Sequence, residues 1–570
     1  MGFHFTENQT KVLNARNHNI LVSAAAGSGK TAVLVERIIR MISEGEKPLD
    51  IDRLLVVTFT RAAAAEMRGR IGRAIADRLE KEPDNRHLQR QETLLHHAQI
   101  TTIDSFCSFL LRNNFSDIGL DPGCRQMDDT EEKLLRSDTL DKFVELQHEK
   151  NDPAFIAAAD YFSAEGDGKL EELIGRLYSA SNSHPSQKDW LLAHREDYSV
   201  QGEEDLLHQA WFRSLLLDVL DTIEDTKEIY RAIASICAQP DGPYPYADIL
   251  EPDQEAVFAP FGITDPEKGL QQARGILLDE SADTDALRDV FQKLAAGCAA
   301  PSSFAKLPSI TKKMTTVSDE KKKLAGDLRK SVKEQLQKYN TEIFTADLRT
   351  LVSRMNRADA ALRALVDTTI SFIDMYAQVK KDRSLIDFSD LERFALLVLL
   401  ERRENADGTV SYVPRSGAKA YEKYFDEVLI DEYQDSNEVQ ELLLSTIAGE
   451  SDGRFARFMV GDVKQSIYRF RNARPEIFVR KFDTYKPDDP QCERIDLDQN
   501  FRSRPEVLDA VNAVFRKIMR REIGGVDYDA AAELKARGVS VRTLAKAIGM
   551  PHNTLSYQIN KITKGKEVDE

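Results

Sequence analysis

Long apolar runs are missing from this sequence of 570 residues: none approaches the ~18 residues that a membrane helix needs. The N-terminus also lacks the apolar core of a signal peptide. Cysteines are few, since the five present are scattered and odd in number, with no CxxC pair. They exclude a disulfide framework and a paired-cysteine zinc site, and are typical of reduced thiols in a cytosolic protein.

Positive charge is also in short supply. Lys and Arg together number 78 against 95 Asp and Glu, which gives a net charge of −17. A surface that is basic throughout is therefore excluded, and any contact with nucleic acid must use a local basic track. Apolar residues (42%) and charged residues (30%) have the balance of a globular protein. At about 150 residues per domain, the length indicates about four domains.

Short β-branched runs alternate with helical stretches near the N-terminus, which predicts parallel α/β structure up to about residue 118. Asn19–Val22 and Leu54–Thr58 are predicted strands, and similar runs return at Glu427–Ile430 and Phe458–Val460. Between residues 119 and 380, amphipathic helical patterns dominate. One stretch there, Lys312–Lys338, is rich in Lys and Arg, so it is either a solvated helix face or a DNA-contacting face.

A phosphate-binding loop is indicated by the segment LVSAAAGSGKT, residues 21–31, in which an apolar strand leads into a glycine-bearing loop and then a helix. The glycines let backbone N–H groups turn toward phosphates, and the helix N-terminus favours negative charge. Lys30 can reach the β- and γ-phosphates, and Thr31 can ligate Mg²⁺. The strict pattern has glycine where this chain has Ala24. The predicted nucleotide-binding residues of the loop are Ala24, Ala25, Ala26, Gly27, Ser28, Gly29, Lys30 and Thr31.

Two adjacent carboxylates follow the predicted strand Val428–Ile430 in the segment VLIDEYQDS. Carboxylates at the end of a strand suit metal-assisted phosphoryl transfer. Asp431 would hold Mg²⁺, and Glu432 would orient or deprotonate the attacking water. An acidic strand end is by itself more often a solvated loop, but together with the phosphate loop it predicts a catalytic site.

The order of the motifs resembles that of UvrD/Rep-like superfamily-one DNA helicases. Within that family the chain looks like the AddA branch, because of VKQSIYRFR, IGLDPGCRQMDD and SLIDFSDLERFALLVL. The resemblance covers roughly residues 1–528. The motifs in chain order are AAAGSGKT, TFTRAAAAEMRGRI (Thr58–Ile71), TTIDSFC (Thr101–Cys107), IDEYQDS (Ile430–Ser436), GDVKQSIYRFR (Gly461–Arg471) and QNFRSRPEVL (Gln499–Leu508).

This resemblance implies ATP and Mg²⁺ as cofactors and gives roles to further residues. Gln9 matches the glutamine that reads adenine, and Phe501 matches the aromatic that stacks on it. Arg502 matches the arginine that touches the γ-phosphate. Gln465 matches the glutamine that links the γ-phosphate state to DNA contact. Ala32 departs from the arginine frequent after the loop threonine, which implies that adenine is held on one face only.

Aromatic and basic residues in the same motifs predict a track for single-stranded DNA. An aromatic face stacks on any base, and neighbouring arginines can meet phosphates. Core packing is the alternative for any one aromatic, whereas Tyr468 and Phe470 lie in a short polar stretch with two arginines. Asp104 replaces the histidine common at that position, so we assign it no contact. The predicted DNA-binding residues are Phe59, Arg61, Phe106, Tyr468, Phe470 and Arg471, with Arg469 nearby.

The predicted organisation is a RecA-like ATPase lobe split by a helical insertion, followed by a short helical tail. After about residue 528 the pattern changes to a basic segment that resembles a helix-turn-helix. Motifs of a second motor lobe and of a nuclease are not found in the sequence given. The predicted boundaries are 1–118 and 381–505 for the lobe, 119–380 for the insertion, 506–528 for the start of a truncated second lobe and 529–570 for the tail.

Two functions remain open at this point. The first is an ATP-dependent DNA helicase or translocase subunit in double-strand-break repair and recombination. The resemblance implies 3′–5′ movement, binding to single-stranded and duplex DNA, a partner like AddB, and a bacterial, cytoplasmic location without membrane contact. The alternative is a truncated, non-motor fragment that binds nucleotide and DNA without unwinding. A metabolic P-loop kinase is disfavoured, because it accounts for none of the DNA-side motifs.

Overall fold

A computed structural model describes residues 5–518, apart from 164, 165, 167, 263, 311–316 and 407–409. The chain divides into two compact units: residues 1–156, 162–193 and 365–570 form the first, and residues 157–161 and 194–364 form the second. The predicted helix-turn-helix-like tail, 529–570, lies outside the described residues, as does the end of the segment 506–528.

A parallel sheet forms the centre of the first unit. Its strand order is β10-β1-β9-β8-β2-β3, and every neighbouring pair is parallel. The predicted α/β class with a parallel sheet is therefore confirmed. The strands of the described chain are β1 Asn19–Ala24, β2 Leu54–Thr58, β3 Gln99–Thr102, β4 Arg125–Gln126, β5 Leu385–Ile386, β6 Leu400–Glu404, β7 Val410–Pro414, β8 Glu427–Ile430, β9 Arg457–Gly461 and β10 Cys492–Leu497.

Helices make up most of the remaining described structure, and none of them is long and apolar enough to cross a membrane. They are α1 Glu7–Asn14, α2 Lys30–Ser43, α3 Arg61–Lys81, α4 Arg86–Leu94, α5 Ile103–Asn114, α6 Asp129–Lys150, α7 Pro153–Ser163, α8 Lys169–Ser181, α9 Gln187–Ala193, α10 Glu203–His208, α11 Ala210–Cys237, α12 Ala247–Phe258, α13 Pro266–Leu278, α14 Thr284–Ala299, α15 Asp319–Glu342, α16 Leu348–Asp382, α17 Phe388–Leu399, α18 Ser416–Tyr424, α19 Glu438–Ala448, α20 Pro475–Thr484 and α21 Pro505–Ile518.

Apolar side chains cover both faces of the large sheet, which is why its central strands are continuous apolar runs and not alternating ones. Every residue of β1, β2, β8 and β9 is buried. On β1, Leu21 packs into one core with α5, α17 and α19, whereas Ile20 and Val22 pack into the opposite core with α2 and α3. The sheet is therefore fixed from both sides, and only its edges and strand ends reach solvent.

The carboxyl ends of the parallel strands all point to one edge of the sheet. The phosphate loop follows β1 and Phe59 follows β2, while Asp431 follows β8 and Asp462 follows β9. Ligands of open parallel sheets bind outside this edge. The fold thus brings together residues that lie more than 400 positions apart in the chain, such as Lys30 and Glu432.

The second unit is helical throughout its described residues. Its core is built around α11, against which α13, α14 and α15 pack. On α15, within the Lys/Arg-rich stretch, Arg329 pairs with Asp253 and Lys321 pairs with Asp241. This unit is smaller than the predicted insertion, since residues 119–156 and 365–380 belong to the sheet-containing unit.

A small antiparallel pair, β6 with β7, was not predicted. Leu400 pairs with Pro414 and Glu404 with Val410. The sequence between the two strands contains Asp407-Gly408, a dipeptide typical of hairpin turns. That signal could have indicated the hairpin.

Arg457 on β9 is the central ion of a buried network in the first unit. Its side chain is 0% exposed; Nη1 lies 2.9 Å from Glu441 and Nε lies 2.5 Å from Glu450. Lys481 lies 3.0 Å from the other oxygen of Glu441, and Tyr433 donates to Glu441. Burial by itself would raise the pKa of Glu441, but Arg457 and Lys481 outweigh it and hold that pKa at about 2.

We expect Arg457→Met to destabilise the protein by about 3–5 kcal/mol at pH 7, because it leaves the buried Glu441 and Glu450 without their main cation. Urea unfolding followed by circular dichroism measures the change. Arg176→Met is the matched control: Arg176 forms an exposed pair with Glu172, and such pairs contribute about 0–1 kcal/mol. Equal losses in the two variants would contradict the assignment.

Candidate functional site

The loop after β1 adopts the turn that its glycines predict. Gly27 and Gly29 have φ of +74° and +85°, in the left-handed region. A Cβ at Gly27 would lie 2.8 Å from Asn500 Nδ2 and 2.9 Å from Arg502 Cβ. Gly29 caps α2 without a side-chain hydrogen bond, so no side chain of the cap competes for the first N–H groups of the helix. The loop therefore presents a compact backbone cradle of the kind that binds phosphate.

Asn500 braces this cradle, and sequence reasoning missed it. Its Nδ2 donates to the carbonyl of Ala26 at 2.6 Å, and its Oδ1 accepts from the N–H groups of Arg502 and Ser503. The N–H of Phe501 donates to the carbonyl of Gly27 at 2.9 Å. Both predicted residues of this segment, Phe501 and Arg502, are thereby held beside the loop. The buried polar residue opening the NFRS motif was the only available signal.

Gln9 lies against the same loop. Its Nε2 donates to the carbonyl of Ser28 at 3.0 Å, and its Oε1 accepts from the N–H of Thr6 in a capping box at the start of α1. One Nε2 hydrogen is left over by this pattern. Gln9 thus belongs to the loop structurally, and it keeps a donor for a ligand.

Lys30 and Glu432 form an ion pair across the strand ends, with Nζ 3.2 Å from Oε2. Glu432 has φ of +51°, an uncommon conformation for a residue with a side chain. Burial, reinforced by the charge of Glu432, raises the pKa of the neighbouring Asp431 to about 6. Burial likewise raises the pKa of Asp435 to about 6. The site therefore concentrates carboxylates around one lysine.

A cavity of about 580 Å³ opens beside this pair. Thr31 and Asp431 line it, and a hydroxyl and a carboxylate are the hard oxygen ligands that Mg²⁺ prefers. Gln465 and Arg502 line it as well. The structure thus brings the predicted catalytic and metal-binding residues Lys30, Thr31, Asp431, Glu432, Gln465 and Arg502 to one region.

Gln434 connects the acidic loop to the segment after β9, and sequence reasoning missed it too. Its Nε2 donates to Glu432 at 2.7 Å, and its Oε1 accepts from the N–H of Asp462 at 3.0 Å. Asp462 in turn accepts from Gln465 Nε2 at 2.7 Å. A Cβ at Gly461 would lie 2.3 Å from Gln434 Oε1, so this strand end requires glycine. A continuous polar path therefore runs from Lys30 to Gln465.

The predicted aromatic track lies at the end of that path. The rings of Phe59 and Tyr468 are 4.3 Å apart at their centroids, and those of Tyr468 and Phe470 are 5.8 Å apart. Phe470 is 77% exposed. The guanidinium of Arg471 lies about 6 Å from both the Tyr468 and the Phe470 ring. Phe59 and Tyr468 also line the 580 Å³ cavity, so this group adjoins the nucleotide-side residues.

Phe106 does not fit its predicted place in this track. Its side chain is fully buried and packs against Phe109 and Phe425. It lies on the core-facing side of α5, where its ring offers no face to a base. Arg61, by contrast, is exposed at the start of α3. Asp104, to which no contact was assigned, has its pKa raised by burial, against the opposing charges of Arg61 and Arg471.

Comparison with known proteins agrees with this geometry. The profile of the UvrD/REP helicase N-terminal domain matches residues 5–486. The chain belongs to this helicase family. It is similar to AddA, the larger-named ATP-dependent helicase/nuclease component, of Lachnoclostridium phytofermentans (40% identity), of Acetivibrio thermocellus (38%) and of Bacillus pumilus (36%), with 92–93% of this chain covered. It spans 36–41% of the length of these relatives.

A second cavity of this helicase-family chain, of about 430 Å³, lies behind the acidic strand end. Asp104, Asp431, Asn437 and Tyr468 are among its lining residues, together with Glu392 from α17. Glu392 accepts from Gln440 at 2.6 Å and from Asn437 at 3.1 Å, and burial raises its pKa to about 7. Because that pKa exceeds the ordinary 4.5, the folded state favours the protonated acid.

We expect Glu392→Gln to become more favourable as pH rises. The contribution of Glu392 to stability is fully present below about pH 4.5 and is lost as the pH passes through about 7. The melting temperature of the variant minus that of the wild type should increase from pH 5.5 to 8.5, corresponding to at most about 3 kcal/mol. Glu334→Gln, at an exposed position, is the control. A difference that does not change with pH would contradict an elevated pKa.

Proposed function

We propose that the chain binds Mg·ATP at the edge of the sheet and uses its hydrolysis to move along single-stranded DNA. The observation that carries this proposal is the shared cavity: Thr31, Gln465 and Arg502 line the same 580 Å³ space as Phe59 and Tyr468. A change at the phosphates therefore has a short physical route to the aromatic group. Membership in the UvrD/REP helicase family supports the same function.

In the proposed reaction Lys30 leaves Glu432 for the β- and γ-phosphates, since a lysine 3.2 Å from a carboxylate can exchange one anion for another. Glu432 is then free to orient and deprotonate water for attack on the γ-phosphate. Thr31 and Asp431 would hold Mg²⁺, which neutralises charge on the phosphates when bound. Arg502 stabilises negative charge that develops at the γ-phosphate.

Adenine would stack on Phe501, which is 60% exposed beside the phosphate loop. Gln9 can donate its remaining Nε2 hydrogen to the edge of the base, because only one of the two is used by Ser28. Loss of Glu432 from Lys30 would alter the hydrogen bond from Gln434, and with it the contacts of Asp462 and Gln465. This is the proposed route from phosphate to DNA.

On the DNA side, we propose that Phe59, Tyr468 and Phe470 stack on unpaired bases while Arg61 and Arg471 meet phosphates. The similar proteins are named as parts of an ATP-dependent helicase/nuclease. By extension, the chain acts with 3′–5′ polarity in double-strand-break repair in the bacterial cytoplasm, together with an AddB-like subunit. Duplex DNA would be a further ligand.

Lys30→Ala should abolish measurable Mg·ATP binding, because it removes the side-chain cation that faces the phosphates in the loop. Titration with a fluorescent ATP analogue measures the affinity. Lys47→Ala, at an exposed residue beyond α2, is the matched control and should bind as the wild type does. Unchanged affinity in Lys30→Ala would show that nucleotide binds elsewhere.

The double variant Tyr468→Ala/Phe470→Ala should bind a thymidine oligonucleotide at least 10-fold more weakly, since base stacking contributes ~1–3 kcal/mol per base. Fluorescence anisotropy at fixed low salt measures the dissociation constant. The control replaces two exposed aromatics away from the track, Tyr244→Ala/Phe115→Ala. If both double variants bind equally well, Tyr468 and Phe470 do not form the DNA track.

A further inference from the structure

His184 lies in the loop between α8 and α9 and joins three segments of the first unit. Its Nδ1 is 2.7 Å from Oε2 of Glu438, at the start of α19. Its Nε2 is 2.9 Å from Nη2 of Arg474, just before α20. The indole of Trp190 stacks on its ring, with centroids 4.7 Å apart and planes at 12°. The residue is 7% exposed, so this arrangement is enclosed by protein.

The two polar contacts fix the protonation of His184. A guanidinium carries only donors, so Nε2 must be the acceptor of the bond from Arg474. A carboxylate only accepts, so Nδ1 must carry the hydrogen that faces Glu438. The imidazole is therefore neutral in this structure. A proton on Nε2 would point a second donor at Arg474 and remove the bond between them.

Arg474 ends the turn that carries the aromatic track. Within that turn the N–H of Ala473 donates to the carbonyl of Tyr468, and Asn472 has φ of +64°. The N–H of Arg474 donates at 2.9 Å to the carbonyl of Ser436, five residues after Asp431. Its buried Nε has no hydrogen-bond partner among the described residues. The guanidinium is thus held largely through His184.

We propose that His184 is a positioning residue that clasps Arg474, and so holds the Tyr468–Ala473 turn against the acidic loop, only while its imidazole is neutral. The DNA part of this inference rests on the proposed function. Protonation of His184 releases Arg474, loosens the turn and weakens binding to single-stranded DNA. The charged groups facing the imidazole are Glu438 from α19 and Arg474, while Arg480 of α20 acts on Glu438.

Trp190 provides a direct readout of the clasp, because the chain has only two tryptophans. Replacing the other, Trp211→Phe, in the full chain leaves Trp190 as the sole indole. A stacked imidazolium changes indole fluorescence, so emission should follow His184 through a pH titration between pH 5 and 8. Adding Arg474→Met removes the facing cation and should move the midpoint up by about one pH unit, the scale of a neighbouring charge. His184→Gln should abolish the transition.

Binding to DNA gives the functional readout. The probe is a thymidine oligonucleotide, whose bases do not titrate in this range, at constant ionic strength. Wild-type affinity should fall about 5- to 10-fold from pH 7.5 to 5.5, and the ratio should approach one in His184→Gln. The control His96→Gln, at an exposed histidine, should keep the wild-type ratio. By linkage, bound oligonucleotide should also move the Trp190 midpoint to lower pH.

The outcomes separate the two proposals. If the oligonucleotide does not bind at pH 7.5, the proposed function and the positioning role both fail, whereas a midpoint raised by Arg474→Met still supports the clasp itself. If the oligonucleotide binds equally at both pH values and leaves the Trp190 midpoint unchanged, the positioning role is overturned and the proposed function stands. A midpoint that Arg474→Met does not move overturns the clasp.

Discussion

Strands that all run in one direction can place the residues following them at only one edge of their sheet, and the rest of this structure depends on that constraint. β1, β8 and β9 are adjacent, so the phosphate loop, the Asp431–Glu432 pair and Asp462 emerge side by side. The distance along the chain between Lys30 and Glu432 then becomes irrelevant, since parallel pairing fixes their separation to that of neighbouring strand ends. A large helical unit can be inserted between them without disturbing the site.

A second requirement is that the strand ends communicate, and this depends on a close approach. Gly461 lets the side chain of Gln434 approach to a distance that no Cβ would permit. From there Gln434 reaches both Glu432 and Asp462. A rearrangement of Glu432 therefore cannot stay local, because it removes a partner from an amide whose other end holds the segment leading to Tyr468. The coupling is a property of hydrogen-bond satisfaction within a buried network, where an unpaired polar group is costly.

Sequence reasoning succeeded where the information is local. The run LVSAAAGSGKT contains strand, turn and helix start within a few residues, so β1 and α2 and the parallel α/β class could be predicted. It failed where the fold decides. Asn500, Gln434 and His184 are ordinary polar residues until tertiary structure supplies their partners. Phe106 shows the converse limit, because a motif names an aromatic residue but does not say which face of α5 turns toward the core. The unpredicted β6–β7 hairpin had only a weak dipeptide signal.

Electrostatics give the last step, because the site holds more negative charge than its own cations balance. Burial and Glu432 raise the pKa of Asp431, and burial raises that of Asp435, although Lys30 lies close enough to oppose both effects. Such raised values mean that the ionised carboxylates cost folding energy near neutral pH. A divalent cation at Thr31 and Asp431 would reverse that cost. Bound phosphates would instead draw Lys30 away from the carboxylates, so the two ligands complement each other: the metal compensates Asp431 at the moment when the nucleotide takes its lysine. A site of this kind favours joint binding of metal and nucleotide over either one separately.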